Sequence, residues 1–126
     1  MPQKPSAKAY SLVLFLVVLD QLTKVGARSW FPQRIEFNRG SAFSVDIPTV
    51  IIIVVAAAML IFFAKAQHKP WWAALFVAGA LSNTLDRILW GGVIDWIHYP
   101  FGITGNLADI YLTVGVIGLL STFKRT

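Results

Sequence analysis

The chain predicts an all-α membrane protein of four transmembrane helices, both termini cytoplasmic, with a small extracytoplasmic loop and β region after the first helix. Three observations lead there. Of its 126 residues 56% are hydrophobic and 13% charged, whereas soluble domains average about 45–50% apolar and about 25% charged. The mean hydropathy is +0.65, far from the low-hydrophobicity, high-charge corner where disordered chains lie. Finally, four stretches approach the roughly 20 apolar residues that cross about 30 Å of hydrocarbon. The length limits the chain to one integral membrane domain, residues 1–126.

The first span is expected at about 10–26. Lys4 and Lys8 precede it as in a cleaved signal peptide, but Asp20, Gln21 and Lys24 follow without a small-x-small cleavage pattern, so it reads as retained. The loop from Ser29 to Asp46 comes next, and the alternation in Arg34-Ile-Glu-Phe37 suggests a short strand on the membrane surface. The second span, about 47–64, contains the unbroken apolar run Val50–Ala64, which no amphipathic soluble helix carries. Asp46 with Pro48 marks its start, and Pro70 marks the start of the third span, about 71–90, because proline fits a first helical turn. After the segment Gly91–Asn106, the fourth span is expected at about 107–123.

Charge sets the orientation. One side holds Lys4, Lys8, Lys65, Lys69, Lys124 and Arg125 and no acid; the other holds Lys24, Arg28, Arg34, Arg39 and Arg87 with all six acids. The acid-free side is assigned to the cytoplasm. The net charge of +5 is spread in ones and twos, without the basic stripe that nucleic-acid binding needs. The absence of cysteine excludes disulfides, thiol nucleophiles and cysteine-based metal sites.

Ionisable groups at membrane depth either pair or do work. Asp20 and Lys24, four apart with the acid first, suit an intrahelical salt bridge. Asn83, Asp86 and Arg87 share one helix face; adjacent Asp86 and Arg87 read as partly self-neutralising, bracing loops or serving the site directly. Asp95 and Asp109 differ, since neither has a Lys or Arg within four positions. They find separate cations in space, form part of an ion or proton path, or face each other and share a proton. A shared proton would prepare them to activate water, one carboxylate taking its proton while the other polarises a carbonyl. A Ser–Lys pair of Ser41 or Ser44 with Lys24 is opposed by Asp20, because a nucleophilic lysine must be neutral. His68 and His98 read as solvated, and Gly115, Gly118 and the small residues 78–80 as permitting close helix packing.

The ordered set Asp20-Gln-Leu-Thr-Lys24, Phe37-Asn-Arg-Gly-Ser-Ala-Phe43-Ser, Asn83-Thr-Leu-Asp-Arg87, Gly92-Val-Ile-Asp95-Trp and Asn106-Leu-Ala-Asp109 resembles the lipoprotein signal peptidase family, signal peptidase II. The resemblance implies an aspartic endopeptidase of the bacterial cytoplasmic membrane that cuts prolipoproteins before a diacylglyceryl-modified cysteine. Its active site would face the extracytoplasmic side. It implies Asp95 and Asp109 as the catalytic pair, with Asn38, Gly40, Asn83, Arg87, Asn106 and Ala108 positioning substrate or bracing the acids, and Asp20, Lys24 and Asp86 as structural polar residues. It further implies membrane lipid around a lipid-facing cleft under the loop from Phe31 to Ser44, no metal or cofactor, and a monomer.

The sequence departs from that pattern. The stretch from Asp20 to Asn38 and the spacing from Asp95 to Asp109 are short. Ser82 and Ser41 replace a glycine and an alanine, while Trp96 and Gly105 each replace a phenylalanine. A short divergent member follows, with a non-catalytic relative that binds lipidated signal peptides or a family inhibitor as the alternative.

Overall fold

The computed structural model describes residues 7–39, 48–66 and 68–123. Gly40, Ser41, Ser44 and Asp46 lie outside the described residues. Among the described residues four α-helices are found: α1 (Ala7–Trp30), α2 (Thr49–Lys65), α3 (Trp71–Trp90) and α4 (Leu107–Phe123). Four short strands accompany them: β1 (Glu36–Asn38), β2 (Val93–Asp95), β3 (Ile97–His98) and β4 (Thr104–Gly105).

α1 runs beyond the expected 10–26 at both ends. Lys24 and Arg28, taken from sequence as the polar end of the span, continue the helix because each finds a partner off it: Lys24 among acids of α1 and α3, Arg28 over the Trp90 ring at 4.6 Å. Its buried residues Ala9, Val13, Leu16, Asp20, Lys24 and Ala27 recur every three or four positions and so form one stripe. α3 and α4 keep the expected bounds. Pro48 and Pro70 stand just before the first helical residues, in extended conformation, and not within the first turn. Gly91 ends α3 with φ +76 and donates its N–H to the Arg87 carbonyl at 3.0 Å, the left-handed closure that glycine adopts without a Cβ penalty.

α3 is the central helix, packed against the other three and most extensively against α4. A Cβ on Gly79 would lie 2.6 Å from the Ala108 carbonyl oxygen and one on Gly115 would lie 2.6 Å from Phe76 Cβ, so the small residues do set a close α3–α4 approach. The strand expected at 34–37 is found at Glu36–Asn38. It pairs antiparallel with β2 in the register Glu36↔Asp95, Phe37↔Ile94, Asn38↔Val93; β3 and β4 form a hairpin, Ile97↔Gly105 and His98↔Thr104.

The interior has two layers. An apolar cluster of Ala9, Val13, Leu16, Phe63, Ala74, Val77, Ala78 and Tyr111 fills one. One to two turns further along α1 and α3 the buried residues become Asp20, Lys24, Ser82, Asp86 and Arg87. Outside the order reverses, with Leu14, Phe15, Val54 and Phe62 more than half exposed. α1 is long and apolar enough to cross a membrane, with mean hydropathy 1.5 in its best window. α2 and α4 have 17 residues each, about 25 Å of helix against about 30 Å of hydrocarbon.

Candidate active site

The polar layer starts from Lys24. Its ammonium lies 2.6 Å from Asp20 Oδ2 and 2.8 Å from Asp86 Oδ2, and it donates to Asn83 Oδ1 at 3.2 Å, so its three N–H donors each have a partner. Asp86 pairs with Lys24 and not with adjacent Arg87, which corrects the self-neutralising reading. Successive helix residues point to different faces, and Arg87 instead donates from Nη1 to the Arg39 carbonyl at 3.3 Å. Asp86 also receives the Ile94 N–H at 3.1 Å and Gln21 Nε2 at 2.9 Å. Asp20 receives the Ser82 hydroxyl on Oδ2 and, at 2.8 Å on Oδ1, the Ala108 N–H. A carboxylate of α1 thus caps the first turn of α4, where the helix carries positive end charge.

The first turn of α4 carries Asp109. Asn106 Oδ1 accepts the Asp109 N–H at 3.0 Å and Asp109 Oδ2 accepts the Asn106 N–H at 3.0 Å, a reciprocal capping box in which Asn and Asp take the two places. Asn106 Nδ2 meanwhile donates to Asp95 Oδ1 at 3.0 Å. One buried amide therefore holds both acids. Asn83 Nδ2 donates to Asp109 Oδ1 at 3.2 Å, which links Asp109 to Lys24 through a single side chain.

Asp95 is 2% exposed. Thr104 Oγ1 and Asn38 Nδ2 donate to its Oδ2 at 3.2 Å and 3.4 Å, so all its side-chain donors are neutral. Burial, then the nearby Asp109 charge, pushes the Asp95 carboxyl above the usual range, against the three hydrogen bonds. Neither Asp95 nor Asp109 forms an ion pair among the described residues. Gly105 makes room for the pair, since a Cβ there would meet Asp109 Oδ2 at 2.9 Å.

Both acids line an open cavity of about 830 Å³ between α2, α3 and the β3–β4 hairpin. Ile51, Val55 and Met59 of α2 and Phe76 of α3 form its apolar wall, and Asn38, Asn83, Thr104 and Asp95 its polar end. Such a site can take an apolar segment and present its polar backbone to the two carboxyl groups.

The structure thus brings together Asn38, Asn83, Asp95, Asn106 and Asp109. Arg87 acts from the side on the chain after β1, and Ala108 contributes its N–H. Lys24 is engaged by two carboxylates. His98 is exposed but holds the Arg34 carbonyl at 2.6 Å. Sequence reasoning assigned no part to Thr104, Gln21 or Ser82. For Thr104 a signal existed, because strand alternation places it on the face of Asn106; Gln21 and Ser82 meet only through tertiary packing, at 2.9 Å.

Comparison with known proteins adds the following. The family described as Signal peptidase (SPase) II matches residues 12–124. The lipoprotein signal peptidase of Streptococcus pneumoniae (strain ATCC BAA-255 / R6) is 37% identical over 133 residues, 86% of this chain and 87% of its own length. That of Caldicellulosiruptor bescii is 34% identical over 132 residues, 89% and 86% of the two chains. A solved bacterial membrane enzyme superposes with a TM-score of 0.74 at 27% identity, covering 99% of this chain and 93% of its own.

Proposed function

The chain belongs to the signal peptidase II family, and from that premise we propose that it is a membrane aspartic endopeptidase that removes signal peptides from diacylglyceryl-modified prolipoproteins. The observation that carries the mechanism is the buried Asp95 carboxylate, held by neutral donors beside Asp109 at the end of an apolar-walled cavity.

The dyad holds one proton between two carboxyls and titrates as a unit. The ionised carboxylate takes a proton from a water placed between the pair while the protonated one donates to the scissile carbonyl oxygen. Water oxygen bonds to the carbonyl carbon and a tetrahedral diol forms. In its collapse the protonated carboxyl gives its proton to the leaving nitrogen, the C–N bond breaks, and the diol hydroxyl that becomes the carbonyl returns its proton to the other carboxylate, so the dyad ends with one proton as it began. Asn106 and Asn83 orient the acids, Asn38 and Thr104 hold Asp95, and Ala108 and Arg87 fix the backbone around them. Asp20, Lys24 and Asp86 brace the helices. Gly40 is carried as a positioning residue by its motif alone.

Residues 1–126 form one integral domain of the bacterial cytoplasmic membrane in this reading. The four helices cross it, both termini are cytoplasmic, and the site lies at the extracytoplasmic face. The apolar exterior of α1, α2 and α4 and the gathering of buried charge at one end of the bundle support that arrangement. A signal peptide is itself an apolar helix, so its cleavage point arrives at the depth of the two acids. The protein works as a monomer without cofactor, in contact with membrane lipid.

The test is cleavage of a diacylglyceryl-modified prolipoprotein and its unlipidated form in nanodiscs by the wild-type protein, Asp95→Asn and Asp109→Asn. Wild type should cleave the lipidated form only, and each variant should lose at least about 10²-fold in rate. Turnover retained by either variant refutes the dyad. Precursor held but uncut by wild type establishes the non-catalytic binding relative instead.

A further inference from the structure

The β3–β4 hairpin closes through the turn Pro100–Gly102, where the Tyr99 N–H bonds the Ile103 carbonyl at 2.8 Å. At its tip stands Phe101, with φ 68 and ψ 25. Among the described residues it is the one non-glycine residue in the left-handed region, and it is 98% exposed. Two unfavourable features coincide: a bulky side chain on a backbone that favours glycine or asparagine, and an aromatic ring that none of the described residues covers. Glycine or asparagine there would remove both. The ring becomes favourable only where it leaves water.

The place of the tip indicates what covers it. β2 follows α3 directly and β4 runs directly into α4, so the hairpin sits at the end of the bundle where α3 finishes and α4 begins. α1 ends there too, because Arg28 stacks 4.6 Å over Trp90. Trp30, Phe31 and Trp90 are exposed at that level, and tryptophan and arginine at apolar helix ends mark the headgroup region of a bilayer. The hairpin also contributes Tyr99, Gly102, Ile103, Thr104 and Gly105 to the cavity wall beside the two acids, whereas Phe101 takes no part in that wall.

We propose that Phe101 is a wedge that enters the phospholipid headgroup–acyl boundary and sets the depth of Asp95 and Asp109 in the membrane. The proposal rests on reading the chain as membrane-embedded with its site at the interface. The occupant is bulk phospholipid. The backbone strain at Phe101 persists because the left-handed residue turns the ring outward from the hairpin, where lipid receives it.

The absence of native cysteine makes the test direct. Phe101→Cys is labelled with an environment-sensitive fluorophore and reconstituted in phosphatidylcholine–phosphatidylglycerol vesicles. The expected result is emission shifted to the blue of the same label on a soluble peptide, quenched by phospholipid bearing a nitroxide near the headgroup end of its acyl chain. Emission at the aqueous position with quenching by iodide overturns the proposal, as does blue-shifted emission that neither quencher reaches, which means protein covers the tip. In turnover, Phe101→Asp should raise KM several-fold for a lipidated precursor resident in the bilayer with kcat little changed, and Phe101→Leu should match wild type. Equal KM values for the Asp and Leu variants overturn the wedge. If no form cleaves, the peptidase reading fails while the label depth still decides the wedge.

Discussion

Thr104→Val tests how Asp95 is tuned. The substitution keeps the side-chain shape and removes the hydroxyl that donates to Asp95 Oδ2 at 3.2 Å, leaving Asn106 at 3.0 Å and Asn38 at 3.4 Å. A hydrogen bond to a charged group is worth about 1.5–3 kcal/mol, and this one is long and borders an open cavity, so its loss is placed at about 1.4 kcal/mol. That equals about one pKa unit. The sign follows from the donor: Thr104 favours the ionised form, so without it the carboxyl, already raised by burial and by Asp109, rises further. In the pH profile of kcat/KM for a lipidated precursor, the alkaline limb, where the dyad loses its one proton, should move up by about one unit. The acid limb should follow in the same direction by less, because the pair titrates jointly. A fall in rate with both limbs unmoved would show that Thr104 shapes the cavity without touching the charge of Asp95, and the account of the site given above would be wrong.

Three other substitutions probe the support of Asp95 and Asp109. Lys24→Met leaves Asp20 and Asp86 buried without the cation that separates them; breaking such a pair costs about 3–5 kcal/mol, so the variant should unfold at much lower temperature in detergent, and Asp86→Asn in the same chain should recover part of the loss. Ser82→Ala deprives Asp20 of a donor and Gln21 of an acceptor in a fully buried place, a cost of about 1–3 kcal/mol to be read as a lowered Tm. Gly79→Ala puts a methyl group 2.6 Å from the Ala108 carbonyl and 2.8 Å from Leu112, overpacking of about 1–3 kcal/mol; since Ala108 precedes Asp109, kcat should fall more than KM rises, and a folded variant with unchanged kcat would separate α3–α4 spacing from the site.

What could be read from sequence was what local interactions decide. Pro70 before α3 and Gly91 after it are signals within a residue of the helix ends, and both bounds were found where expected. Asn106-x-x-Asp109 is likewise a local box. The ends of α1 are not legible, because Lys24 and Arg28 look like the end of an apolar run when their partners, Asp86 and Trp90, lie more than fifty positions away. The pairing of Asp86 is hidden for the same reason: the neighbour in sequence is Arg87, and the neighbour in space is Lys24. The juxtaposition of Asp95 and Asp109 was open to sequence only as one of several alternatives, because nothing local says that a hairpin folds the two acids back on each other.

The energetic logic of the molecule follows from where the charge cluster sits. In an apolar bundle the cluster of Asp20, Lys24 and Asp86 is an expensive way to join helices, since well-packed apolar groups hold as well or better. Its geometry does what apolar packing cannot. Asp20 caps the N-terminus of α4, Asp86 anchors β2 through the Ile94 N–H, and Lys24 reaches Asp109 through Asn83. The two elements so fixed are those that carry Asp109 and Asp95. Directional bonds set the helix end and strand in register, as contacts between interchangeable methyl groups do not. The buried charges therefore fix where the two carboxylates meet.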